Sequence, residues 1–154
     1  MKKHAFLHAA TCLFAAVALL SSCQTKPTPP PTPPEEKIGL ETAVWQLTDI
    51  RTDSVPMPVP DTLPVPITVK FSGGNIEGFG GCNSFGGSYT VAENRLSVGG
   101  IRITRMFCGS SSEWENHFVQ RLEKSQTFKI EGERLEIQSG AMGGLVFRLN
   151  WKKR

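Results

Sequence analysis

Between Thr42 and Leu149, apolar side chains recur at every second position in short runs. Period two is strand geometry, because successive side chains on an extended chain point to opposite faces. Val44-Trp45-Gln46-Leu47-Thr48-Asp49-Ile50 places Trp45 and Leu47 on one face, and Ile67, Val69 and Phe71 share a face of the next run. A Gly-rich run over 75–80 has Ile76 as its chief apolar contact, and Tyr89 with Val91, Leu96 with Val98, and Ile101 with Ile103 follow. Phe128 and Ile130 face Leu135 and Ile137 around Glu131-Gly132-Glu133, the pattern of a hairpin, and Leu145, Phe147 and Leu149 close the series. The reading is eight or nine short strands, with turn signals at the spacing of a β-barrel or sandwich.

One segment breaks the rhythm. Ser110-Ser111-Ser112-Glu113-Trp114-Glu115 offers serine caps with glutamate three residues on, the spacing of a capping box. Trp114, Phe118 and Leu122 then recur every four residues, which predicts a helix to about Lys124 with this stripe against the sheet. Between the first two runs lie Pro56, Pro58, Pro60, Pro64 and Pro66. Proline cannot donate to a ladder, so this stretch reads as an edge or a loop packed across the barrel.

The first 23 residues set the compartment. Lys2 and Lys3 precede an apolar run from Phe6 to Leu20, interrupted by His8 and Thr11 and too short for a comfortable bilayer span. Leu20-Ser21-Ser22-Cys23 resembles the bacterial lipobox, in which the cysteine is acylated before cleavage. That resemblance implies a signal peptide over 1–22 and Cys23 as the lipidated first residue of the mature protein. Two or three acyl chains anchor stably where one does not. Gln24, where an Asp would favour inner-membrane retention, leans the expected location to the outer membrane. Residues 23–37 carry the tract TKPTPPPTPPEE, which predicts a polyproline II spacer at about 3.1 Å per residue. The folded domain is expected over 38–154. Without Lys2 and Lys3 the chain carries 15 basic against 14 acidic residues. A balance so near neutral argues against nucleic acid as a partner.

The middle of the chain carries a more specific pattern. Gly78-Phe79-Gly80-Gly81-Cys82-Asn83-Ser84-Phe85-Gly86-Gly87-Ser88-Tyr89 resembles the core motif of the META domain, and Thr104-Arg105-Met106-Phe107-Cys108 resembles its T-x-M-x-C element. Trp45-Gln46-Leu47 fits its opening strand, and Glu113, Phe118 and Leu122 are matched to its helix. The resemblance, to the HslJ-like lipoprotein branch, implies a small antiparallel, calycin-like β-barrel with one α-helix packed against it. It implies an envelope role linked to stress in some members, with no established enzymatic activity, cofactor or agreed ligand. Gly81, Cys82, Asn83, Gly87, Thr104, Met106 and Cys108 are then structural motif positions.

Cys82 and Cys108 are the cysteines expected in the folded domain. An oxidising compartment makes a disulfide their default, with two buried free thiols or a reactive or metal-binding pair as the alternatives. Asn83 and the glycines around it read as backbone-geometry residues, since Asn tolerates the left-handed region. His117 reads as a solvated helix position, and no four-ligand zinc set is visible. Arg95, Arg102 and Arg105 form a candidate anion patch, and Trp151-Lys152-Lys153-Arg154 a basic end. The expectation is a lipid-anchored, non-enzymatic envelope module that binds an unknown envelope protein or small ligand. The alternative is an envelope enzyme or redox protein using Cys82 and Cys108.

Overall fold

Nine antiparallel strands in one sheet, a single α-helix and a 3-10 turn at Gly140–Met142 make up the regular structure of the described residues. The computed structural model describes residues 38–52 and 55–150. The expected signal peptide, Cys23, the proline spacer and the basic end at 151–154 lie outside the described residues. The strands are β1 (Val44–Thr52), β2 (Val55–Pro58), β3 (Thr68–Ser72), β4 (Asn75–Phe79), β5 (Ser84–Ala92), β6 (Arg95–Ile103), β7 (Thr127–Glu131), β8 (Arg134–Gln138) and β9 (Gly144–Leu149). The helix α1 (Ser110–Glu123) lies between β6 and β7.

Each strand pairs with its neighbour in the order β1-β3-β4-β5-β6-β7-β8-β9, and β9 pairs back onto β1. The sheet therefore curls into a barrel-like ring, which removes the unpaired edges that an open sheet would expose. Only β2 stands outside this ring. It pairs with the far half of β1, from Asp49↔Pro58 to Thr52↔Val55. Pro56 and Pro58 lack the N–H that an added strand would need, so they blunt this outer edge. The proline segment is thus an edge strand followed by a loop, and the loop's Val59 and Leu63 pack against the core.

The interior is filled from period-two positions: Trp45, Ile67, Val69, Phe71, Leu135, Ile137 and Phe147 are fully buried. Two bulges explain where the alternation changes phase. Between Leu47↔Phe147 and Asp49↔Val146, β1 carries one residue more than β9. Trp45, Leu47 and then Ile50 consequently all point inward. Likewise, between Ser88↔Gly99 and Gly86↔Arg102, β6 carries one residue more than β5, at a point where Gly100 takes φ +63°. The core set passes there from Leu96 and Val98 to Ile101 and Ile103. Gly78 is fixed by a close approach, because a Cβ there would sit 2.0 Å from the Thr68 carbonyl oxygen and 2.9 Å from the Phe85 ring.

Alternating strand direction sorts the connections between two ends. The β3–β4, β5–β6 and β7–β8 hairpins lie at one end, where β1 begins and β9 finishes. The β4–β5, β6–α1 and β8–β9 connections lie at the other, with the β1–β2 turn, while the α1–β7 connection returns beside the start of β6, where the Leu96 N–H donates to the Gln126 carbonyl. We call these the hairpin end and the helix end. At the helix end α1 packs onto the barrel through Phe118, whose ring meets Phe85 and Phe147 edge-on at centroid distances of 5.4 and 6.4 Å. The helix also covers the thinnest seam, since β6 and β7 share a single register pair, Arg95↔Thr127.

The helix differs from its expected form in two respects. Its buried residues are Ser111, Glu115, Phe118, Arg121 and Leu122. A 4-3-4 spacing over 111, 115, 118 and 122 stays on one face, whereas a strict four-residue repeat from Trp114 drifts around the axis, leaving Trp114 half-buried. The capping box does not form. Gly109, at φ +58°, occupies the N-cap without any side-chain cap, and Ser112 Oγ instead accepts a hydrogen bond from the Cys108 N–H at 3.0 Å.

Candidate functional site

The motif residues meet at the helix end. The β4–β5 connection carries Gly80, Gly81, Cys82 and Asn83, and the β6–α1 connection carries Thr104 to Gly109. A disulfide joins Cys82 to Cys108, with Cα atoms 5.7 Å apart, so the default pairing holds rather than two free thiols or a metal pair. Cys82 is buried, whereas Cys108 is exposed.

Asn83 is the hub of this region. It is 2% exposed, and its Oδ1 accepts from the Met106 N–H at 2.7 Å and from Thr104 Oγ1 at 3.0 Å. Its Nδ2 donates to the Met106 carbonyl at 3.0 Å and to Glu115 Oε1 at 2.8 Å. The Asn83 N–H donates to Glu115 Oε2 at 2.6 Å. One residue, through its side-chain amide and its own N–H, thus holds both backbone groups of Met106 and both oxygens of a carboxylate on α1. Its role lies in these side-chain bonds and not in backbone geometry, since Glu93 is the only non-glycine with positive φ among the described residues. Both oxygens of Glu115 accept hydrogen bonds, as a buried carboxylate requires.

Glycine makes room for that carboxylate. A Cβ on Gly80 would lie 2.6 Å from Glu115 Oε2 and 2.8 Å from its Cγ. Gly81 turns the connection at φ +95°, and Gly87 lies so close to β6 that a Cβ would meet the Gly99 carbonyl oxygen at 2.9 Å. The glutamate that enters the site is Glu115, three residues before Phe118. Glu113 is exposed and lies 4.0 Å from His117 Nε2 instead. A charged residue on the apolar stripe of α1 was the available signal for Glu115, and the capping-box reading obscured it.

The other candidates lie elsewhere. His117 is on the exposed side of α1. Among the described residues no group of three or more His, Cys, Asp or Glu side chains could hold a metal ion. Arg95 begins β6 at the hairpin end, whereas Arg102 and Arg105 lie at the helix end, so the three do not form one patch. Arg121 is buried and donates to the carbonyls of Met142 and His117, both at 3.0 Å. Burial lowers its pKa. A cleft of about 480 Å³ runs between the proline loop and β1, with Asp49, Asp61, Arg134 and Arg148 among its lining residues.

Among the carboxylates elsewhere, Glu41 and Glu136 bear most on their surroundings. Tyr89 donates its hydroxyl proton to Glu41, and burial followed by this bond raises the tyrosine pKa. On the barrel wall Glu136 accepts from Arg134 Nε at 2.7 Å and from both terminal nitrogens of Arg51 at 3.2 and 3.3 Å. Partial burial pushes the Glu136 carboxyl up, but the two guanidinium groups outweigh it and leave the pKa below the usual value.

A family model for the META domain matches residues 39–150, which takes in the whole clamp from Gly80 to Glu115. The chain belongs to the META domain family. The META fold is matched by an NMR structure of a protein from Burkholderia xenovorans at 23% identity and TM-score 0.61, covering 73% of this chain and 85% of that one. A crystal structure of a DUF4847 family protein from Bacteroides vulgatus is similar at 12% identity and TM-score 0.55, over 74% of this chain and 96% of that one. At these identities the likeness concerns the fold. No curated protein matches the chain. Among the described residues of this META chain, no helix is long and apolar enough to cross a membrane.

Proposed function

We propose that the mature protein is a lipid-anchored lipoprotein of the cell envelope, leaning to the outer membrane, whose META domain is a non-enzymatic binding module. The observation that carries this reading is Leu20-Ser21-Ser22-Cys23, placed after an apolar leader and before a proline spacer. The disulfide between Cys82 and Cys108 supports it, because such bonds persist in oxidising compartments and are rare in the cytosol. The clamp also fits a binding module. The polar atoms of Asn83 and Glu115 are engaged with backbone and with each other, which holds two loops in fixed shape. Labelled palmitate fed to cells tests the anchor: label should enter the wild-type chain and be lost in Cys23→Ala. A wild-type chain recovered from its first methionine without acyl mass overturns the proposal.

The exposure of Cys108 favours one second reading, thiol–disulfide chemistry at this pair. It requires the pair to exchange with glutathione at envelope poise. Cysteines that stay closed to alkylation after such treatment exclude it.

A further inference from the structure

Among the described residues the most exposed large apolar side chain is Phe107, at 89%, and its neighbour Met106 is 61% exposed. Their exposure is built in. Asn83 binds the N–H and the carbonyl of Met106 from inside the barrel, and the disulfide draws Cys108 back toward Cys82. The backbone between these two fixed points presents its side chains outward. Arg105 adjoins Met106 in the chain and Arg102 lies near the end of β6; both are exposed, and neither has an ion-pair partner among the described residues.

Val55, at 65% exposure, opens β2 at the same end, and the loop of Val65 packs beside Gly81 through Leu63 and Ile67. Val91 belongs to the opposite, hairpin end. Apolar exposure is therefore concentrated at the helix end, which is also the end remote from where the chain enters β1. An aromatic carried on backbone already fixed before contact loses less entropy on binding, and aromatic and arginine anchors often dominate protein interfaces.

We propose that Phe107 and Met106, flanked by Arg102 and Arg105, form a docking tip for a protein surface that offers an apolar pocket rimmed by carboxylates. The inference deepens the binding-module reading and rests on it. A protein is favoured over a lipid surface because one aromatic with one methionine suits a single pocket better than a broad lipid contact, and guanidinium groups pair bidentately with carboxylates fixed at a pocket rim.

The test places photoreactive benzoylphenylalanine at position 107 of the full-length chain in its native cells, with position 91 as the control. Illumination should give a discrete protein adduct from position 107 and none from position 91. The paired reversal Arg102→Glu with Arg105→Glu should cut that adduct at least severalfold while leaving the disulfide closed. Support requires both results together. An adduct only to lipid, only to a second copy of the chain, or insensitive to charge reversal overturns the proposal, as does no adduct at all. Palmitate incorporation scored on the same cells reads the anchor separately, so loss of the docking tip and loss of the lipoprotein reading are distinguishable.

Discussion

Glu115 and Glu136 are both carboxylates engaged by more than one donor, yet they sit in opposite environments. Glu115 is 6% exposed at the helix end and is held by the uncharged donors of Asn83. Glu136 lies on the barrel wall between two arginines, one of which is 44% exposed along its side chain. The wall cluster has the full opposite charges, but water screens them and long side chains must be ordered to make them. The buried cluster has only dipoles, but nothing would replace them if they were lost. Burial, more than formal charge, decides which carboxylate the fold depends on.

The sharpest way to break this comparison is Glu115→Ala. It strands the Asn83 N–H and one amide hydrogen inside the protein, and should cost about 4 kcal/mol, measured by urea unfolding. A loss below about 1 kcal/mol would mean that water enters and satisfies the site. Opening the disulfide with Cys82→Ser and Cys108→Ser should cost about 3 kcal/mol, since the bond closes a separation of 26 residues. Gly80→Ala should cost about 2 kcal/mol by pushing a methyl group into Glu115. Rescue of Gly80→Ala by a shorter aspartate at 115 would confirm that the clash is with that side chain.

The wall cluster should respond weakly. Arg51→Ala is expected to change stability by less than about 1 kcal/mol, and the difference should shrink further in high salt. Its pH dependence has a definite sign. The Glu136 pKa is lowered on folding, so its contribution is present above the unfolded carboxylate value and lost as pH falls through the folded one. Wild type and Glu136→Gln should therefore converge in stability as pH falls below the ordinary carboxylate range. A gap that widens in acid would show that the arginines do not stabilise this carboxylate.

Much of the barrel was legible because strands speak in period two. Alternation alone put Trp45 with Leu47, Val69 with Phe71, and Leu135 with Ile137 on shared faces, and all six are buried. The bulges were not legible as bulges, because one extra residue appears in sequence only as a change of phase between Leu47 and Ile50 or between Val98 and Ile101. At the site, Cys82, Asn83, Thr104, Met106 and Cys108 stood out through the family resemblance. Their arrangement did not. The Asn83–Glu115 bond spans 32 residues, and no local propensity reports a contact between a loop and the far side of a helix turn. Phe107 was equally silent: alternation identifies residues that want burial and has no mark for one that the backbone holds in solvent.

The pairing of the last strand with the first also brings the chain's entry and exit together, with the Asn150 N–H donating to the Val44 carbonyl at 2.8 Å. A fold whose two ends meet at one point behaves as a cassette. It can be spliced into a surface loop of a host protein, or cut open elsewhere and rejoined across its old ends, without stretching the barrel. It also has to wait for its last strand, Gly144–Leu149, before the ring can shut.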